Sequence, residues 1–132
     1  VLGGCGGDDS ETTADLTKAQ VVKRAEVICN TFESEREAVL TKALEKAGPN
    51  PNAAQKEELL ITALQPYEGL IERLDELGAP KGGEEQYEEM VKAMEGAVER
   101  AKANPESAFA GDLPFREANK QVQAYGLDNC VA

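Results

Sequence analysis

The chain has 132 residues, with 25 acidic and 14 basic side chains for a formal charge of −11, and contains neither histidine nor tryptophan. This length holds one compact domain and a short tail. The charge repels nucleic acid and other polyanions, and without imidazole the commonest general base and metal ligand are missing.

The first residues are Val1-Leu2-Gly3-Gly4-Cys5, then Gly6, Gly7 and an acidic, hydroxyl-rich stretch to Asp15. So few apolar residues bury no core, and residues 1–16 are expected to form a disordered, flexible tether. Glycines on both sides of Cys5 argue against a packed core thiol. Leu2, Gly3, Gly4 and Cys5 resemble the lipobox of bacterial lipoproteins, where a Leu and two small residues precede the lipidated Cys. The resemblance implies that the sequence begins inside its signal peptide and that Cys5 carries a lipid anchor. It also implies an extracytoplasmic location, at the cell surface or in the periplasm. No apolar run approaches the roughly 18 to 20 residues needed to cross a bilayer, so the lipid is the expected membrane attachment.

With Cys5 assigned to lipid, Cys29 and Cys130 remain. An exported protein in an oxidising compartment is expected to pair them as a disulfide. The alternative is two free, buried thiols.

From Thr17 onward, residues 17–132 read as one helical domain. Thr17-Lys18-Ala19-Gln20 fits a capping box. Apolar residues follow at Val21, Ala25, Ile28, Cys29, Phe32, Val39, Leu40, Ala43, Leu44 and Ala47, predicting one buried stripe that ends at Gly48-Pro49. At about 30 residues this first helix spans roughly 45 Å. The second stripe runs through Leu59, Leu60, Ala63, Leu64, Tyr67, Leu70, Ile71, Leu74 and Leu77. Pro66 lies inside it and predicts a kink, or two helices meeting there.

The third stripe is Tyr87, Met90, Val91, Met94, Ala97, Val98 and Ala101, closed by Asn104-Pro105, which caps a single turn through Phe109. The fourth and shortest helix is expected from about Asp112, with Pro114 in its first turn and Phe115, Ala118, Val122 and Tyr125 on its apolar face. Four amphipathic stripes joined by short turns predict an all-α fold, an antiparallel up-down four-helix bundle. In that topology the chain end returns toward the first helix, which brings Cys130 within reach of Cys29.

The segment Glu26-Val27-Ile28-Cys29 and the closing Tyr125-Gly126-Leu127-Asp128-Asn129-Cys130-Val131 are similar to segments of small helical lipoproteins of actinobacteria. That resemblance implies export and a disulfide-closed bundle, and carries over no catalytic residue.

Clustered carboxylates hold hard cations in some proteins. Glu84, Glu85, Glu88 and Glu89, however, sit in the first turns of the third helix, where acidic side chains favour the positive helix end. Glu68, Glu72 and Glu76 repel at i,i+4 spacing; Arg73 and solvent screening are expected to relieve them, the alternatives being a facing basic helix or a bound metal. Bundle di-iron sites use Glu-x-x-His, which this chain lacks. Met90, Met94 and Tyr87 read as core rather than a cofactor pocket, and the hydroxyls of Tyr67, Tyr87 and Tyr125 are expected at the bundle rim. Ser10, Ser34 and Ser107 have no histidine to activate them.

No catalytic, cofactor or metal residue is therefore assigned, and no enzyme activity is expected. The expected function is a lipid-anchored interaction or structural module with an unidentified partner. The alternative is a small-ligand or metal-binding protein at the same location, with a pocket near Pro66 or at the carboxylates.

Overall fold

The computed structural model describes residues 16–132, except 110 and 112 and the side chain of 109. Residues 1–15 of the expected tether, with the lipobox, Cys5 and Ser10, and Asp112 lie outside the described residues; Leu16, the last residue assigned to the tether, is buried in the bundle instead. Every regular element within them is helical: α1 (Lys18–Ala47), α2 (Ala53–Leu77), α3 (Glu84–Ala103), the single turn α4 (Pro105–Phe109) and α5 (Arg116–Tyr125). Two 3₁₀ turns, Leu113–Phe115 and Asp128–Cys130, flank α5.

Local chemistry sets the helix ends. The Gln20 N–H donates to Thr17 Oγ1 at 3.2 Å and the Thr17 N–H to Gln20 Oε1 at 2.9 Å, which completes the capping box of α1. Asn52 and Gln55 repeat the arrangement at the start of α2, both bonds at 2.8 Å. At the far end of α1, Gly48 takes φ of 80°, a conformation open to glycine that ends the helix before Pro49.

The four substantial helices pack in sequence order, α1 on α2, α2 on α3 and α3 on α5. The bundle is closed by the last turn rather than by α5 itself. The Asp128–Cys130 turn packs on α1, and the Cys29–Cys130 disulfide joins the two with Cα atoms 4.8 Å apart. Around it, Asn129 Nδ2 donates to Asn30 Oδ1 at 2.8 Å, and Arg36 Nη1 to the Val131 carbonyl at 3.1 Å. The chain's other end is fastened too: Leu16 is buried, and its carbonyl accepts the Lys81 N–H at 2.9 Å.

Three expectations change in three dimensions. The fourth helix starts at Arg116, because the Pro114 segment coils into a separate 3₁₀ turn held by Arg100 Nη2 donating to the Pro114 carbonyl at 3.0 Å. Pro66 does not divide the second helix, and α2 continues through it with Pro66 buried. The α1 stripe is buried only at Val21, Ala25, Cys29 and Phe32; Val39, Leu40, Ala43 and Ala47 are half-buried, and Leu44 is 53% exposed.

Helix length explains the change in α1. With 30 residues against 20 in α3, α1 outreaches α3 by about 15 Å. Lys102, in the last turn of α3, stands level with Glu68 of α2, where their side chains pair at 2.7 Å. Past that level the α1–α2 hairpin projects beyond α3. Its inner end is covered by Phe115, whose ring packs edge-on to Tyr67 at 5.4 Å between centroids.

Candidate functional site

The projecting hairpin leaves a groove of about 500 Å³ between α1 and α2. Leu40, Thr41 and Leu44 form one wall, Leu60, Ala63 and Leu64 the other, and Phe32, Tyr67, Ala108 and Phe115 close the inner end. Ligand sites typically enclose roughly 300 to 1,000 Å³ with mainly apolar walls. The groove lies beside Pro66, between Leu64 and Tyr67, where the sequence placed its alternative pocket. On the hairpin's opposite face a second depression of about 310 Å³ runs between Val39 and Leu59, and the Lys46–Glu58 ion pair crosses it at 3.0 Å.

Charge in the main groove is confined to α1, at Glu33, Arg36 and Glu37. Arg36 is held toward the inner end, its guanidinium 5.3 Å from the centre of the Phe32 ring. Glu35, on the neighbouring face, is engaged by the Arg73 guanidinium through bonds of 3.1 and 3.3 Å. Arg73 thus pins α1 to α2, while Lys102 takes up Glu68. The repulsion expected along Glu68, Glu72 and Glu76 is relieved in part from a facing helix.

The tyrosines are inside the bundle, not at its rim. Tyr87 Oη donates to the Leu74 carbonyl at 2.6 Å, and the buried hydroxyls of Tyr67 and Tyr125 have no hydrogen-bond partner among the described residues. Burial pushes all three phenols above the ordinary tyrosine range, with Tyr125 and Asp75 adding to the effect at Tyr87. They remain protonated through neutral pH and supply no base. The methionines behave as the spacing predicts: Met90 and Met94 are buried in the core with Tyr87.

Among the described residues, no group of three or more Cys, Asp or Glu stands where it could hold a metal ion. Ser34 and Ser107 come no nearer to a nucleophile's surroundings, Ser34 being exposed and Ser107 Oγ bonded to the Asn104 carbonyl at 2.8 Å. Of the site residues assigned from the sequence, the structure joins Cys29 to Cys130, and Cys5 lies outside the described residues. The sequence placed a pocket beside Pro66 but not its course along α1, because those residues were assigned to a covered stripe. The one available signal was the unequal length of the predicted helices.

Fold and site together define an all-α module closed by the Cys29–Cys130 disulfide, with an apolar groove on a projecting helical hairpin. Comparison with protein-family models, curated proteins and solved structures finds no match.

Proposed function

We propose that this protein is an extracytoplasmic interaction module, tethered to the membrane by lipid on Cys5, whose binding face is the α1–α2 groove. The observation that carries the reading is the uncovered apolar hairpin. In the groove lining Leu44 is 53% exposed and its α1 neighbour Leu40 is half-buried. What marks the groove is that its apolar lining is contiguous, from Leu44 and Leu40 across to Leu60, Ala63 and Leu64. The lipobox resemblance supports the address, and a structural disulfide suits an oxidising compartment. The small-ligand reading draws on the same groove through its volume, but the groove is open along its solvent side, which suits a docked segment better than an enclosed molecule.

A neutral solvatochromic dye tests the groove. Its emission should rise with the native protein and fall back with Leu44→Asp, a change at an exposed position that leaves the core intact. Equal emission from the two proteins removes the groove as an apolar site.

A further inference from the structure

Glu33 and Glu37 stand one turn apart on α1, both lining the groove. Like charges at this spacing repel, and among the described residues no cation lies within 4 Å of either, whereas neighbouring Glu35 is neutralised by Arg73. Arg36, the remaining charge of the lining, is drawn over Phe32 and bonded to the Val131 carbonyl. The α2 wall, with Ala108 and Phe115, contributes no charge. The groove therefore combines an apolar floor with an α1 edge of two carboxylates and one guanidinium, acidic by one charge, in which Arg36 is held at the inner end and neither carboxylate is paired among the described residues. From Phe32 to Leu44 it follows α1 for about 18 Å, the length of roughly three helical turns.

We propose that the groove docks an amphipathic helix with a basic edge, laying its apolar stripe over Leu40, Leu44 and Leu60 and its Lys or Arg residues against Glu33 and Glu37. The inference rests on the groove being the binding face and adds the chemistry of the partner. A second copy of this chain would bring its own Glu33, Glu37 and a charge of −11 to the same edge, and like-charge juxtaposition disfavours that pairing. An anionic amphiphile meets the same repulsion. A basic helix gains from the protein's whole field during approach and from the two carboxylates once seated.

The test uses two synthetic peptides of about 14 residues with leucine at i, i+3, i+4 and i+7, one completed with lysine and the other with glutamate. Binding to the native protein is measured by fluorescence anisotropy at low and at physiological salt. The Leu/Lys peptide is expected to bind and the Leu/Glu peptide not. Glu33→Gln/Glu37→Gln should weaken the Leu/Lys peptide about fivefold at low salt and less at higher salt. Glu84→Gln/Glu85→Gln, which removes the same charge from exposed positions at the start of α3, should leave affinity unchanged.

Two results overturn the charge assignment while leaving the groove standing: equal binding of both peptides that Leu44→Asp abolishes, or Leu/Lys binding that Leu44→Asp abolishes and Glu33→Gln/Glu37→Gln does not weaken. Binding insensitive to Leu44→Asp, or absent for both peptides, removes the groove as the docking face. A concentration-dependent dimer in sedimentation, lost in Leu44→Asp, assigns the groove to a second copy and overturns the basic-helix proposal.

Discussion

The ammonium of Lys102 lies 2.7 Å from the Glu68 carboxylate, and this pair marks the level at which α3 ends against α2. On the near side of it α2 is packed against both α1 and α3, with Leu70 and Leu74 fully buried. On the far side the hairpin carries apolar residues that no further long helix covers. The α2 stripe stays buried on both sides of this level, Leu59, Leu60 and Leu64 included, whereas the α1 stripe is buried near its start and half-buried or exposed from Val39 to Ala47.

That division makes leucines unequal. Leu74→Ala, in the buried part of α2, should cost about 2 to 5 kcal/mol through lost burial and a residual cavity. Leu44→Asp, at a position 53% exposed, should change stability by no more than about 0.5 kcal/mol. Urea denaturation of both variants checks the contrast. A collapse of Leu44→Asp would show that the distal hairpin is part of the cooperative core.

Disulfide removal should be felt globally. Cys29 and Cys130 are separated by 101 residues, and in the chain-entropy model closing a loop of this size stabilises by about 4 to 5 kcal/mol. Cys29→Ser should therefore lower the midpoint of thermal unfolding sharply relative to the non-reduced native protein, and a reductant should have the same effect on the native protein alone. Identical melts in all conditions would mean that the bond contributes no net stability.

Alkaline pH should destabilise the fold. Tyr67, Tyr87 and Tyr125 bind their protons more tightly folded than unfolded, because burial disfavours phenolate. Their contribution is fully present below the unfolded value of about 10 and is lost as pH rises past it, by up to roughly 1.4 kcal/mol per pH unit for each tyrosine. Tyr67→Phe should make the alkaline limb shallower. At neutral pH it should raise stability by about 1 kcal/mol, since it removes a buried hydroxyl without a partner. Tyr87→Phe, which loses the bond to the Leu74 carbonyl, should instead cost about 1 kcal/mol. Denaturant titrations across the alkaline range measure both effects.

The tether has its own test. With the protein expressed from its full-length gene, the intact mass of the membrane-extracted form should correspond to a chain starting at Cys5, with added acyl mass and two hydrogens short. Cys5→Ser should move the protein to the soluble extracytoplasmic fraction. An unmodified thiol at Cys5, or membrane retention of the variant, would remove the lipid anchor and leave the bundle as it stands.

Much of this architecture is determined by the sequence alone, because it is local. Thr17 and Gln20 are three residues apart and satisfy each other's backbone at the start of α1, whatever the rest of the chain does. The stripe of α3, from Tyr87 to Ala101, is buried at every position its spacing marks, because a helix under neighbours on its apolar side has one face to bury. Cys29 and Cys130 could be paired on paper once the lipobox resemblance had set Cys5 aside and the last helix was directed back toward the first.

The tertiary structure alone decided how far each stripe is covered. Leu44 and Leu74 are the same residue type at equivalent spacing, yet one is half exposed and the other fully buried. Periodicity states which side of a helix is apolar; what lies against that side depends on the lengths and levels of other helices, set by contacts distant in sequence such as Lys102 with Glu68. The tyrosine hydroxyls follow the same rule, reaching inward because the rings stack on Phe32, Phe115 and one another. The groove exists because α2 carries a helix of 30 residues and a helix of 20, a mismatch whose consequence appears only when the helices are assembled.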